Sequence, residues 1–180
     1  RYTWNLTDLY PSDEAWEQEF GEVKNLIENA GRFAGKLSDA RTLYECLVTR
    51  TEVSRKMNLL YLYAFLAKEL DNRVSKYQAM NEQAAMLGSQ AGAAFAYVEP
   101  ELVQIPDDKL REMAGKFERT DVYDFYIEDL IRSKKHIRST EVEELLAQSA
   151  LMARGASSAF NLLNDADLQY GTIKDEKGNE

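Results

Sequence analysis

The chain has 180 residues and carries 22 Lys and Arg against 31 Asp and Glu, a formal charge of −9, with one His (His136) and one Cys (Cys46). A structural zinc site needs about four Cys/His ligands and a catalytic one about three protein ligands, so no self-contained zinc site is expected. A lone Cys also excludes an intramolecular disulfide. The acidic balance argues against a nucleic-acid partner, whose phosphates require clustered Lys and Arg. The unpaired thiol fits a reducing compartment. The chain opens on no secretory leader, and no apolar run approaches the ~20 residues of a bilayer span. The expectation is a single-domain, cytoplasmic chain that needs no membrane.

Prolines occur only at Pro11, Pro100 and Pro106, which leaves long stretches free of helix breakers. The first helix is expected from about Asp13 to Leu37. Ser12 caps it, Asp13 and Glu14 suit its positive end, and Gly31 and Gly35 could end it early. Trp16, Phe20, Val23, Ile27 and Ala30 form its apolar stripe. Ser38 is expected to cap a second helix reaching roughly Leu70, with Leu43, Leu47, Val53, Met57 and Leu60 on one face. Its later part, Leu59 to Ala67, is apolar all round and reads as a buried central segment.

A third helix is expected from about Val74 to Val98, closed by Pro100. Its small residues, including Gly88 and Gly92, suggest close approach of a neighbouring backbone. Shorter helices follow: one from near Pro106 to near Gly115, and one after Thr120 carrying Val122, Phe125, Tyr126, Asp129 and Leu130. Another begins at Ser139 or Thr140, where Thr140 and Glu143 have capping-box spacing. A last one covers roughly Ser157 to Asn164. Leu168 to Lys174 then reads as a strand and Asp175 to Glu180 as a turn. A strand without its hairpin partner has unpaired backbone groups, so its partner is expected elsewhere. The fold class is thus all-α: a multi-helix lobe with long antiparallel helices and a short β-hairpin start at the C-terminus.

Candidate chemistry is sparse. His136 lies in the basic run Arg132 to Arg138, read as a helix C-terminus favoured by the macrodipole rather than as an anion site. Asp121, Asp124, Glu128 and Asp129 share one helix. A four-helix di-metal site would place a Glu three residues before a His, but Ser133 holds that position, so a solvated acidic face is expected. Cys46, between Leu43 and Leu47, reads as a buried inert thiol. Tyr61, Tyr63, Phe65, Tyr123, Phe125 and Tyr126 could line a groove for peptides or a partner, though core packing explains most of them. No residue is assigned a catalytic or metal-binding role, and the substrate-binding residues are unknown.

Trp4-Asn5-Leu6-Thr7-Asp8-Leu9-Tyr10-Pro11-Ser12 before an acidic helix resembles the start of the oligoendopeptidase F family of zinc metallopeptidases, relatives of thimet oligopeptidase. The likeness continues through Leu60 to Ala64, Phe95 to Leu102, Tyr126 to Leu130, Phe160 to Leu168 and Thr172 to Glu176. It covers essentially the whole chain in order. The family's His-Glu-x-x-His helix, whose two His bind zinc while the Glu acts as general base, has no counterpart in this sequence. The resemblance therefore implies an N-terminal lobe without the catalytic motif: residues 1–166 as the helical part, and 167–180 as the start of a hairpin leading into a missing catalytic domain. It implies zinc in the parent enzyme and none in this part, short peptides as substrates, the catalytic domain as partner, and a channel wall that filters by size. The alternative is a helical interaction or scaffold module without catalysis.

Overall fold

Ser12 starts the first long helix: its extended backbone and its side chain, accepting from the Ala15 N–H, cap α1, Asp13–Glu28. Here and below the structure is a computed structural model, and the residues it describes are 4–71, 73–118 and 120–134, with single positions at 160 and 176. The helix ends nine residues before the expected Leu37. Asn29 turns its side chain back onto the Asn25 carbonyl at 2.8 Å, a 3-10 turn follows at Ala30–Phe33, and Gly35 then takes a φ of +73°. That left-handed backbone suits glycine because it has no Cβ to clash. Glu101 holds the bend by accepting from the Gly35 N–H at 2.6 Å.

Asp39, not Ser38, caps α2, Ala40–Leu70, accepting from both the Thr42 N–H and the Thr42 hydroxyl. At 31 residues this helix is about 46 Å long, given a rise of roughly 1.5 Å per residue. The remaining elements are α3 Ser75–Ala94, α4 Val98–Val103, α5 Asp107–Ala114 and α6 Thr120–Lys134. The third helix stops short of the expected Val98, and Pro100 sits in the first turn of α4 instead of closing α3. Proline is at ease there, because first-turn N–H groups have no intrahelical acceptor. Pro106 caps α5 and Gly115 ends it, close to expectation.

Side-chain pairings fix the directions. Along α1, Asp13 meets Tyr63, Trp16 meets Leu60, and Glu19 and Glu22 meet Lys56. Partner numbers fall as α1 advances, so α1 and α2 are antiparallel. The pairs Gly88 with Met57, Tyr97 with Cys46 and Glu99 with Arg50 make the path through α3 and α4 antiparallel to α2 as well. Arg111 with Glu128, and Asp107 with Lys134, do the same for α5 and α6. The long antiparallel helices are as expected.

The core runs from Trp16, Val23 and Phe33 through Leu43, Leu60, Ala64 and Leu87 to Leu102, Leu110 and Ile127. The expected all-round burial of residues 59–67 does not hold, since Tyr61 and Leu62 are 45% and 41% exposed. Neighbouring helices cover Leu60, Tyr63, Ala64 and Ala67 and leave that outer edge bare. Arg1–Lys134 forms one compact unit and Lys135–Glu180 a second. The described residues contain no strand, and the expected strand at 168–174 lies outside them. So do the helix expected from Ser139 or Thr140 and, apart from the helical Phe160, the one expected at 157–164. Glu176 lies in a turn, as expected.

Candidate functional site

One face of α2 carries Arg50, Ser54 and Asn58 at four-residue spacing, which stacks them one turn apart. These three residues border two concavities at once. The first, of about 550 Å³, lies toward α3 and α4 and is walled by Val53, Met57, Gly88, Gly92, Phe95 and Glu99. The second, of about 580 Å³, lies toward α6 and is walled by Thr51, Arg55, Val122, Tyr123 and Tyr126. Together they form a groove with a polar floor and largely apolar sides.

Small residues keep the first concavity open. A Cβ added to Gly88 would touch the Met57 methyl at 3.7 Å, and one added to Gly92 would meet nothing within 4 Å. The small-residue helix α3 does pack closely on α2, with Ala84 and Leu87 buried, but Gly88 and Gly92 themselves meet no neighbouring backbone among the described residues and shape a hollow.

Arg50 is the only strongly polar cation that both hollows share. Its Nη1 donates to the Tyr126 hydroxyl at 3.1 Å and its Nη2 to Glu99 Oε1 at 3.2 Å, and its guanidinium lies 5.9 Å from the centre of the Tyr126 ring. Burial opposes its charge, but Tyr126 and Glu99 more than restore it, so the group is held firmly cationic. Burial likewise pushes the Tyr126 hydroxyl up, keeping it a neutral partner. The tyrosine is itself located by α6, whose neighbour Tyr123 packs edge-on against Tyr44 and Phe117.

The residues singled out from sequence fall elsewhere. Cys46 is fully buried, and its Sγ lies 3.7 Å from the Tyr97 hydroxyl. That hydroxyl donates to the Ala30 carbonyl at 2.8 Å, so the thiol is the donor to Tyr97. Burial raises its pKa, and the thiolate is disfavoured. Glu128 forms a two-pronged ion pair with Arg111 at 2.7 and 3.0 Å, Asp129 pairs with Arg132, and Asp124 is exposed. The side chain of Asp121 lies outside the described residues. Of the basic run, Lys134 binds Asp107 at 2.9 Å and the Ile105 carbonyl, while His136 lies outside the described residues.

The aromatic set divides. Tyr63 and Tyr123 are buried, Tyr61 stacks on Phe65 with ring centres 6.0 Å apart, Phe125 is 79% exposed, and Tyr126 joins the Arg50 groove. The groove floor itself was missed in the sequence. Its signal was the polar i, i+4, i+8 series along the edge of the apolar stripe of α2, which reads equally well as solvated surface.

No group of three or more His, Cys, Asp or Glu able to hold a metal occurs among the described residues. With one His in the whole sequence, the donor set does not suit a zinc centre. No helix among the described residues is long and apolar enough to cross a membrane.

A sequence model of the family Oligopeptidase F matches residues 101–170. Oligopeptidase PepF of Bacillus subtilis is 40% identical over 179 residues, spanning 99% of this chain and 27% of its own length. The chain is a homologue of oligoendopeptidase F. Group B oligopeptidase PepB of Streptococcus agalactiae is 32% identical over 100% of this chain and 30% of its own length. The crystal structure of oligoendopeptidase-F from Enterococcus faecium superposes with a TM-score of 0.66 at 28% identity, covering 92% of this chain and 32% of that one. The chain thus spans about three-tenths of the length of the curated oligopeptidases it matches.

Proposed function

We propose that this chain forms the non-catalytic helical lobe of a zinc-dependent oligoendopeptidase that cleaves internal bonds of short peptides in the cytoplasm. The observation that carries the reading is a mismatch of extent and chemistry. The chain aligns over nearly its whole length with oligopeptidases, yet spans only 27–30% of them, and its sequence carries a single His and a single Cys. Zinc and the groups that act on the scissile bond would come from outside these 180 residues. Residues 1–166 would be the lobe, and 167–180 would lead toward the catalytic part. The lobe would contribute shape, walling a channel wide enough for an extended peptide and too narrow for a folded protein.

The fold supports that role. The antiparallel α1–α2–α3 packing is a stiff frame, since ridges of interlocked side chains resist shear. A groove with a polar floor and apolar walls suits a peptide, whose backbone needs hydrogen-bond partners while its side chains seek apolar cover. The gene beyond Glu180 provides the test. A His-Glu-x-x-His motif downstream is the expected result; an immediate stop codon would overturn the reading in favour of a scaffold module.

A further inference from the structure

We propose that Arg50 is a docking point for the terminal carboxylate of a peptide lying in the groove of α2. The identity of the ligand rests on the peptidase reading; the existence of an anion site does not. A guanidinium offers five N–H donors in a planar fork that matches a carboxylate. Two of them are used in bonds to Tyr126 and Glu99. Those two partners differ in kind. Tyr126 is half-buried on a helix packed against the core and orients the fork. The Glu99 side chain is 58% exposed and reaches Arg50 at 3.2 Å, a solvent-screened ion pair that is easily exchanged. Glu99 is thus a built-in carboxylate that an incoming one can displace.

The surroundings select the kind of anion. Ser54 and Asn58, one and two turns along α2, give neutral hydrogen-bonding groups on the line a peptide backbone would follow. Met57, Phe95 and Val53 beside them offer apolar cover for the side chain next to the terminus. A single guanidinium answers a single carboxylate, and the chain's charge of −9 disfavours polyanions. Phe95 and Glu99 flank the α3–α4 junction, so the site is set where the chain leaves one helix for the next.

The test uses the 180-residue chain, with the Arg50 side-chain N–H resonance as the readout. The probes are N-acetyl-alanyl-alanyl-leucine as the free acid, the same peptide as its C-terminal amide, and inorganic phosphate. Binding of the acid should shift that resonance, and the amide and phosphate should each bind at least tenfold more weakly. R50Q should lose at least tenfold in affinity for the acid. E99Q, which removes an exposed competitor without touching the core, should gain severalfold. Thermal melting of each variant separates lost binding from lost folding. Acid and amide binding alike, phosphate binding as tightly as the acid, or weaker binding by a folded E99Q would each overturn the proposal. If the acid fails to bind while a longer polypeptide carrying this chain still cleaves peptides, the docking point alone is wrong. If the acid binds through Arg50 and no such cleavage exists, the peptidase reading alone is wrong.

Discussion

The two sides of α2 were built for different ends. Toward α1, each contact is closed: the Trp16 indole N–H donates to the Leu60 carbonyl at 2.9 Å, Phe20 stacks on Trp16, and Lys56 answers Glu19 and Glu22. Toward α3 and α6, the same helix presents Arg50, Ser54 and Asn58 to two open hollows. The α1 side is sealed by complementary bulk and satisfied polar groups, whereas on the other side α3 packs closely on α2 and hollows open only beside Gly88, Gly92 and the α6 rings. The difference teaches that the contacts that hold the fold and the groups proposed to meet a peptide lie on different faces of one helix rather than in different parts of the chain. Mutations on the two sides should therefore behave differently.

The largest effect is expected at Trp16, which is 1% exposed. W16A removes a large buried ring and the indole's extra hydrogen bond to a helix carbonyl, and should cost about 3–5 kcal/mol in denaturant unfolding. Next is Asp13, where the sealed side gathers three helices: it accepts from Tyr63 at 2.7 Å, faces Tyr77 at 3.5 Å, and pairs with Lys76 at 2.8 Å. D13N should cost about 1.5–3 kcal/mol, the usual range for hydrogen bonds to a charged group.

Asp13 also carries a pH signature. Burial alone would raise its pKa, but Lys76, Tyr63 and Tyr77 outweigh it and hold the carboxyl below its usual range. A depressed folded-state pKa means the stabilisation is complete above the unfolded value of about 3.9 and is lost as pH falls through the lower folded value. D13N should flatten that acid limb, which melting curves taken from neutral pH downward would show.

On the open side the effects should be small, and one should have the opposite sign. Gly92 lies within α3 with nothing within 4 Å of an added Cβ. G92A should therefore stabilise the chain by about 0.5–1 kcal/mol through helix propensity, which is a few degrees in Tm. The smallest effect is expected for S54A on the exposed floor, within about 0.5 kcal/mol. A large loss from S54A would break the division between the two sides.

What the sequence made legible follows the same line. The sealed side is written in periodicity: Trp16, Val23 and Ile27 on α1 and Leu43, Leu47, Val53, Met57 and Leu60 on α2 are buried where their spacing puts them. Ser12 was readable as a cap because cap chemistry is local. Asp39 was passed over because Ser38 beside it has an equal claim by residue type, and the backbone angles decided between them. The early end of α1 was signalled locally by Gly31 and Gly35, whereas the Glu101 clamp on Gly35, 66 residues away, is a tertiary contact that no local pattern reveals. The groove was illegible for a related reason. Arg50, Glu99 and Tyr126 come from three helices, and only packing brings them together.

The central claim, that this chain shapes a peptidase without supplying its chemistry, is tested most directly by paired metal analysis and peptide cleavage. The measurement compares the 180-residue chain with the whole polypeptide that its gene encodes, proposed above to extend beyond Glu180. The account predicts no stoichiometric zinc and no cleavage of an internally quenched peptide for the chain alone, with both appearing in the longer polypeptide. One tightly bound zinc per 180-residue chain, or a longer polypeptide that holds zinc and cleaves no peptide, would contradict it.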